Sequence, residues 1–248
     1  MPDGLGPVAE FLNREFQVIS FHQRGTRLSP TATHDYSLNS YITDIDSIAL
    51  HYQLDRFHLF GHSWGGLYAQ IYAERQPHRL HSMFLCSPGS GTGSHWRNTM
   101  VEIGKFNMGK TTLLEKSDMA LDAVMGLLGS DSAYRRLFRQ FSLNFNRGFK
   151  VASAIPFEIS CIKARAINAT TKMLLQAPKL RQMPDPGFRI TITYGDQDIY
   201  GSSVKYIEQR YPTANIVTIP ASGHLPWLHN EKEFYKILAE HFGRSAQG

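Results

Sequence analysis

A serine between glycines is the part of the sequence whose residue types and spacing best suit a chemical role. Residues 61–65 read Gly-His-Ser-Trp-Gly, between an apolar run at 57–60 and a helix-favouring segment at 67–74. A serine on a sharp strand-to-helix turn needs neighbours without side chains, and we expect Gly61 and Gly65 to meet this need, with Gly66 adding room. The pattern predicts that Ser63 is a nucleophile.

The residue after this serine has a predicted role through its backbone. The N–H of Trp64 would lie at the first turn of the following helix, where the helix dipole is positive. A negative oxygen that develops during attack on a carbonyl is stabilised by N–H groups placed in this way. We therefore predict Trp64 as an oxyanion donor.

A serine hydroxyl is a weak nucleophile, so it requires a base that is itself oriented by a carboxylate. His224 follows a predicted strand that ends at Ile219, and Asp196 and Asp198 follow one that ends at Tyr194. The order serine, aspartate, histidine along the chain is one known arrangement of such sites. His224 is the predicted base, and the two aspartates compete for the orienting role.

Two other histidines are weaker candidates for the base. His229 lies further from the strand end and close to the next helix, and His62 precedes the serine. We expect His62 to be structural or to line a pocket.

The segments that would position these residues alternate between strand and helix patterns. This alternation predicts the α/β fold class, a parallel sheet covered by helices. Strand patterns occupy residues 16–21, 57–60, 81–86, 189–194 and 214–219, and helical patterns occupy 36–52, 67–74, 204–210 and 231–242.

The middle of the chain differs from the rest in pattern and charge. Residues 91–184 show mostly helical spacing and hold 14 Lys and Arg against 6 Asp and Glu, a net charge of +8. We predict a core of residues 1–90 and 185–248, interrupted by a helical cap of residues 91–184. No aromatic-interleaved basic stripe accompanies the charge, so we expect no nucleic-acid partner. Residues 104–111 match the phosphate-loop pattern, but the buried strand that such a loop follows is not predicted there.

Four segments together resemble the α/β-hydrolase superfamily, and more narrowly its proline iminopeptidase-like branch. The resemblance implies a mostly parallel sheet with flanking helices and an inserted helical cap, and a serine hydrolase acting on an amide or ester. Its G-x-x-D pattern selects Asp198 beside Ser63 and His224, and leaves Asp196 a turn or capping role. The segments are R-G-T-R-L-S at 24–29, G-H-S-W-G-G at 61–66, G-D-Q-D at 195–198 and S-G-H-L-P-W at 222–227.

The sequence departs from that family near its beginning. His22 stands where the family pattern has an acid, and Arg27 where it has a glycine. The H-G-x-P-G-type loop that supplies a second oxyanion N–H in the family would lie before Met1, as would the strand preceding it. We expect either a shortened version of a longer hydrolase, which we favour, or direct pairing of the strands predicted at 16–21 and 57–60. A catalytically impaired relative is the corresponding alternative for function.

The substrate is less defined than the reaction. The resemblance implies removal of an N-terminal residue such as proline, and an enzyme of this kind needs carboxylates that recognise an ammonium group. Glu158, in an apolar stretch, is the candidate for this contact. The positive insertion instead favours an anionic or neutral acyl group, so a small-ester or amide hydrolase is the alternative.

Composition restricts the remaining possibilities. The two cysteines, Cys86 and Cys161, form no disulfide framework, and no stretch of 18 apolar residues is present. We expect a cytoplasmic protein without a membrane span, cofactor or metal, acting on a small-molecule or short-peptide substrate. Oligomeric state does not follow from the sequence.

Overall fold

A parallel four-stranded sheet forms the framework of the chain. The computed structural model describes residues 4–26, 28–151 and 158–243. The strands lie in the order β1-β2-β3-β4, and every neighbouring pair is parallel. They are β1 Phe57–His62, β2 Leu80–Cys86, β3 Arg189–Gly195 and β4 Asn215–Ile219. The predicted α/β class with a parallel sheet is confirmed.

Helices separate the strands along the chain. Two short 3₁₀ turns, Pro77–Arg79 and Ile159–Cys161, add to them. No described helix is long and apolar enough to cross a membrane. The helices are α1 Gly6–Leu12, α2 Leu38–His51, α3 Trp64–Arg75, α4 Ser94–Gly109, α5 Leu113–Leu127, α6 Asp131–Asn146, α7 Ala164–Gln176, α8 Val204–Arg210, α9 Pro226–His229 and α10 Glu231–Gly243.

The chain divides into two compact units. One comprises residues 1–37 and 107–173, and the other residues 38–106 and 174–248. The second unit contains the whole sheet. The domain boundaries at residues 90 and 185 stay a prediction.

The central strands of the sheet unit are buried because neighbouring strands cover both their edges. Six of the seven residues of β2 are buried, including Phe84 and Leu85, which are fully inaccessible. Phe84 lies against Phe234 and Phe242 of α10, with ring centroids 6.2 and 6.1 Å away. This packing fixes the carboxyl ends of the strands, from which the site is built.

The other unit is organised around the helix pair α5 and α6. α5 begins with a capping box in which Thr112 and Glu115 satisfy each other's backbone N–H groups. Gly126 is required where the helices cross, since a Cβ there would lie 2.1 Å from the ring of Tyr134. Its core cluster consists of Met119, Tyr134, Leu137 and Ala164.

Two expectations about local structure need correction or closer description. Residues 16–21 form no strand, so they do not pair with β1 as one alternative required. β-Branched and aromatic residues favour a strand only where a neighbour completes the ladder, and this segment has no such neighbour in the described structure. The phosphate-loop match lies largely inside α4 rather than after a strand. Arg27 lies outside the described residues, and His22 is half-buried.

Candidate active site

Ser63 occupies a strained turn between β1 and α3. Its φ of 52° and ψ of −115° lie in a region that residues with a side chain rarely adopt. Three backbone hydrogen bonds hold it there: its N–H donates to the Cys86 carbonyl at 3.0 Å, and its carbonyl accepts from the N–H groups of Gly89 and Leu67, both at 3.1 Å. Such strain persists only where the surroundings determine the conformation, as at many reactive residues.

The glycines around Ser63 differ in how strictly they are needed. A Cβ on Gly61 would lie 2.4 Å from the Gly65 carbonyl oxygen, and one on Gly66 would lie 2.6 Å from Pro88. Neither clash involves the end of a flexible side chain, so both positions exclude larger residues. The prediction was wrong for Gly65, because a Cβ there would meet nothing within 4 Å. Gly65 lies in the first turn of α3 and points into open space.

The structure brings Ser63, His224 and Asp198 together in one hydrogen-bonded chain. The Ser63 Oγ lies 2.9 Å from Nε2 of His224, and Nδ1 of the same ring lies 2.9 Å from Oδ1 of Asp198. The histidine and aspartate side chains are 2% and 1% exposed. Because a carboxylate only accepts, Nδ1 carries the ring proton and Nε2 is free to accept from the serine hydroxyl.

Four donors converge on the Asp198 carboxylate. Oδ1 accepts from His224 and from the Ile199 N–H at 2.7 Å, and Oδ2 accepts from the Ser87 hydroxyl at 2.6 Å and the Gly195 N–H at 3.3 Å. Burial alone would raise the pKa of Asp198. The charge of His224 and the bonds from His224, Ser87 and Ile199 outweigh burial and hold the pKa below its ordinary value. The group is therefore an anion at neutral pH.

Asp196 has a different environment from Asp198. It is exposed, and its carboxylate accepts the N–H groups of Ala221 at 2.9 Å and Ser222 at 3.0 Å. These backbone bonds lower the pKa of Asp196. The residue ties the loop after β3 to the loop that carries His224.

The loops after β3 and β4 approach closely at one glycine. A Cβ on Gly195 would lie 2.2 Å from the Ser222 carbonyl oxygen and 2.5 Å from that of Gly223. No larger residue fits there without moving backbone. This approach places the aspartate loop against the histidine loop.

Two further histidines support the loop of His224 and are neutral. His62 Nε2 lies 2.9 Å from the His224 carbonyl, which only accepts, so this nitrogen donates. His229 Nδ1 accepts from the Gly223 N–H at 2.9 Å. Burial, and then the charge of His224, lowers the pKa of His62 to about 3 and that of His229 to about 4.

Two residues at the site were missed in the sequence. Ser87 is buried and bonds Asp198, and Tyr200 is buried with its ring edge-on to His224 at 5.4 Å. Burial raises the pKa of Tyr200, so the phenol stays neutral and can donate. Their positions in the sequence could have indicated them, because both residues follow the carboxyl ends of strands, and these ends meet at one edge of a parallel sheet.

Five of the six acidic residues of the insertion, among them the candidate Glu158, already have partners. Glu158 is exposed and accepts from the Ser160 N–H at 3.3 Å, capping the 3₁₀ turn that follows. Glu102 accepts from Gly201, Ser202 and Ser203 near the start of α8. Ion pairs bind three more: Glu115 with Arg147, Asp122 with Arg136, and Asp131 with Lys163.

Comparison with families and curated proteins gives the following similarities. A family model described as alpha/beta hydrolase fold matches residues 4–228. A protein of Rhizobium rhizogenes, provisionally named carbamate hydrolase RutD, is 30% identical over 90 residues, covering 36% of this chain and 34% of its own. A protein of Mycoplasma pneumoniae, provisionally named proline iminopeptidase, is 30% identical over 92 residues, covering 36% and 29%. The match thus spans about a third of the length of these curated relatives.

Solved structures share the fold at low sequence identity. An epoxide hydrolase of Bacillus megaterium has a TM-score of 0.70 at 14% identity, covering 95% of this chain and 87% of its own. A structure from work on carboxylesterases of Nitrososphaera gargenis has a TM-score of 0.68 at 16% identity, covering 97% and 85%. At these identities the likeness shows the fold alone.

Proposed function

The chain belongs to the alpha/beta hydrolase fold family, and we propose that it is a serine hydrolase that cleaves an ester or amide through an acyl-enzyme on Ser63. One observation carries the proposal: the unbroken chain of hydrogen bonds from the Ser63 hydroxyl through His224 to Asp198. Nucleophile, base and orienting acid stand in the geometry that this chemistry requires. His224 and Asp198 are held almost entirely away from solvent.

The proposed reaction has two halves. Ser63 Oγ attacks the carbonyl carbon while His224 Nε2 takes the hydroxyl proton, and Asp198 stabilises the imidazolium that results. The tetrahedral adduct collapses when Nε2 returns that proton to the leaving alcohol or amine. Water then attacks the acyl-enzyme with the same histidine as base, which releases the acid and restores Ser63.

The charge that develops on the carbonyl oxygen needs fixed donors. We assign one of them to the backbone N–H of Trp64, with which α3 begins. The turn at Ser63 places this N–H directly after the nucleophile. Tyr200, whose ring stands edge-on to His224, adds a neutral hydroxyl.

The substrate proposal remains an aminopeptidase that releases N-terminal proline. The sequence motifs and the similarity to the protein provisionally named proline iminopeptidase support it. Glu158 stays the proposed contact for the substrate ammonium group, although its carboxylate caps a 3₁₀ turn. A small-ester or amide hydrolase is the second candidate, supported by the similarity to the protein provisionally named carbamate hydrolase and by the +8 charge of residues 91–184.

A two-substrate assay tests this proposal. The purified chain and its Ser63→Ala variant are given a proline arylamide and p-nitrophenyl acetate, and circular dichroism checks that both fold. Serine-dependent release of the arylamine supports the aminopeptidase, and serine-dependent ester cleavage alone supports the second candidate. A folded chain inert toward both would contradict catalysis and leave an impaired relative.

A further inference from the structure

Ser87 connects the end of one strand to the acid of the site. It directly follows β2, its N–H donates to the Thr193 carbonyl of β3 at 2.7 Å, and its hydroxyl donates to Asp198 Oδ2 at 2.6 Å. The residue is inaccessible to solvent. The backbone bond and the side-chain bond together therefore fix the position of the Ser87 hydroxyl.

The backbone at Ser87 is strained in a way that its side chain explains. Its φ of 45° lies in the left-handed region, where glycine would be free of strain. Glycine has no hydroxyl, so it could form the turn but could not bond Asp198. Serine is thus an unfavourable residue for the backbone conformation of this turn, but it supplies the hydroxyl that bonds Asp198.

The bond completes the binding of both carboxylate oxygens. Oδ1 is held by His224 and Ile199, and Oδ2 by Ser87 and Gly195. Donors on both oxygens fix the rotation of the carboxylate, because turning it would break bonds on each side. Fixed rotation keeps Oδ1 directed at Nδ1 of His224.

We propose that Ser87 is a positioning residue for the reaction: its hydroxyl holds Asp198 ionised and oriented, so that His224 keeps its proton on Nδ1 and presents Nε2 to Ser63. This inference rests on the proposed serine hydrolase function and deepens it. Ser87 acts through Asp198 and touches no reacting atom.

The pH dependence of the reaction gives a readout of this role. Besides Asp198 itself, six titratable groups surround it: His224, His62, His229, Tyr194, Tyr200 and Cys86. Burial lowers the pKa of His62 and His229 and raises that of both tyrosines and the thiol, in each case away from neutrality. The pH dependence of the reaction therefore reports on the hydrogen-bonded pair of His224 and Asp198.

The direction of the expected shift follows from the charges. The Ser87 bond stabilises the carboxylate most when His224 is neutral and no imidazolium compensates it. Without that bond, the neutral-histidine state loses more than the protonated one, so the pair holds its proton more tightly. The acid limb of the rate should then move to higher pH.

The experiment compares Ser87→Gly and Ser87→Ala with the unaltered chain. The rate of inactivation by a fluorophosphonate probe is measured against pH; Ser63 Oγ bonds phosphorus, fluoride leaves and His224 takes the proton. We expect about a 10-fold slower rate in both variants, with the acid limb displaced upward. Ser87→Gly relieves the backbone strain, which offsets part of the stability lost with the bond to Asp198, and its melting curve shows whether it is folded at the temperature of the assay.

A matched control lies three residues along the same loop. Ser90 is also buried, but its hydroxyl bonds the His95 carbonyl and Thr99, and Ser90→Ala should keep the rate and the pH profile. Ser87→Cys, which restores a weak donor, should recover part of the rate. A folded Ser87→Gly with unchanged rate and acid limb would overturn the inference and leave the hydrolase standing, whereas failure of the unaltered chain to react would overturn the hydrolase itself.

Discussion

The carboxyl edge of the sheet and the helix pair α5–α6 treat their polar groups in opposite ways. At the sheet edge, the side chain of Asp198 is 1% exposed, and each of its two carboxylate oxygens accepts from two donors. In the helix pair, Glu115 of α5 is bound by Arg147 at the end of α6, and their side chains are 30% and 43% exposed. Buried charges must be fully partnered to be tolerated, while exposed ion pairs contribute little. Dense partnering therefore marks the region that holds the proposed active site.

The apolar residues of the two regions show the same contrast. Leu85 of β2 is fully buried, whereas Leu113, Leu114 and Leu128 at the ends of α5 are 77–83% exposed. The sheet region also contains the two strained serines, Ser63 and Ser87. Strain and burial together indicate that the sheet edge fixes the positions of particular side chains, in addition to burying apolar ones.

The largest expected effect compares the two acids of one loop. Asp198→Asn removes the carboxylate that fixes the proton of His224 on Nδ1, and should lower kcat about 10³- to 10⁴-fold. Asp196→Asn alters only the bonds to Ala221 and Ser222 and should cost less than about 10-fold. Steady-state kinetics with p-nitrophenyl acetate measures both. Equal losses would refute the assignment of Asp198.

A pair of leucine truncations tests the contrast in packing. Leu85→Ala leaves a cavity in the central strand and should lower the free energy of unfolding by about 2–5 kcal/mol. Leu114→Ala, at a position 78% exposed, should change it by less than about 0.5 kcal/mol. Urea denaturation gives both values. A large loss at Leu114 would mean that the exposed face is covered in solution.

Two glycines of the serine turn provide a finer comparison. Gly61→Ala would drive its Cβ into the Gly65 carbonyl, and should destabilise the protein by about 1–3 kcal/mol. Gly65→Ala meets no atom and replaces a helical glycine, so it should stabilise by about 0.5–1 kcal/mol. The midpoints of urea unfolding should move in opposite directions, and a shared direction would be inconsistent with the turn described.

The smallest expected effect comes from removing one tyrosine hydroxyl in each of the two regions. Tyr200→Phe removes a buried, neutral hydroxyl beside His224 and should lower kcat about 10-fold. Tyr134→Phe removes a hydroxyl of α6 that bonds Asn168 of α7 at 2.7 Å, and should leave kcat unchanged. If both variants kept full kcat, Tyr200 would have no part in the reaction.

The sequence predicted the parts of the fold that depend on local pattern. The strands at 57–62, 80–86, 189–195 and 215–219 coincide with apolar runs, which are rich in β-branched residues in β3 and β4, and the order of strands and helices predicted a parallel sheet. The prediction of a strand at residues 16–21 was wrong, because β propensity describes the segment alone, whereas a strand also needs a neighbouring strand to pair with. That requirement cannot be deduced from the segment itself.

The site was predictable where a motif constrains the backbone. Ser63 and His224 follow from the strand-to-helix serine and the loop after β4, while Asp198 needed a family pattern to separate it from Asp196. Ser87 and Tyr200 were not found, because nothing in Ser-Pro or Asp-Ile-Tyr marks which hydroxyl will face the site. Register and loop geometry decide this, and both arise only on folding.

The central claim is that Ser63 is an activated nucleophile, and labelling followed by mass spectrometry tests it most directly. The intact chain is incubated with a fluorophosphonate, digested, and the modified residue located, with Ser63→Ala and His224→Ala as controls. We expect one phosphonyl adduct, on Ser63, at neutral pH and its absence in both variants. An unmodified Ser63 in a folded chain, or an adduct that forms equally well without His224, would contradict the account.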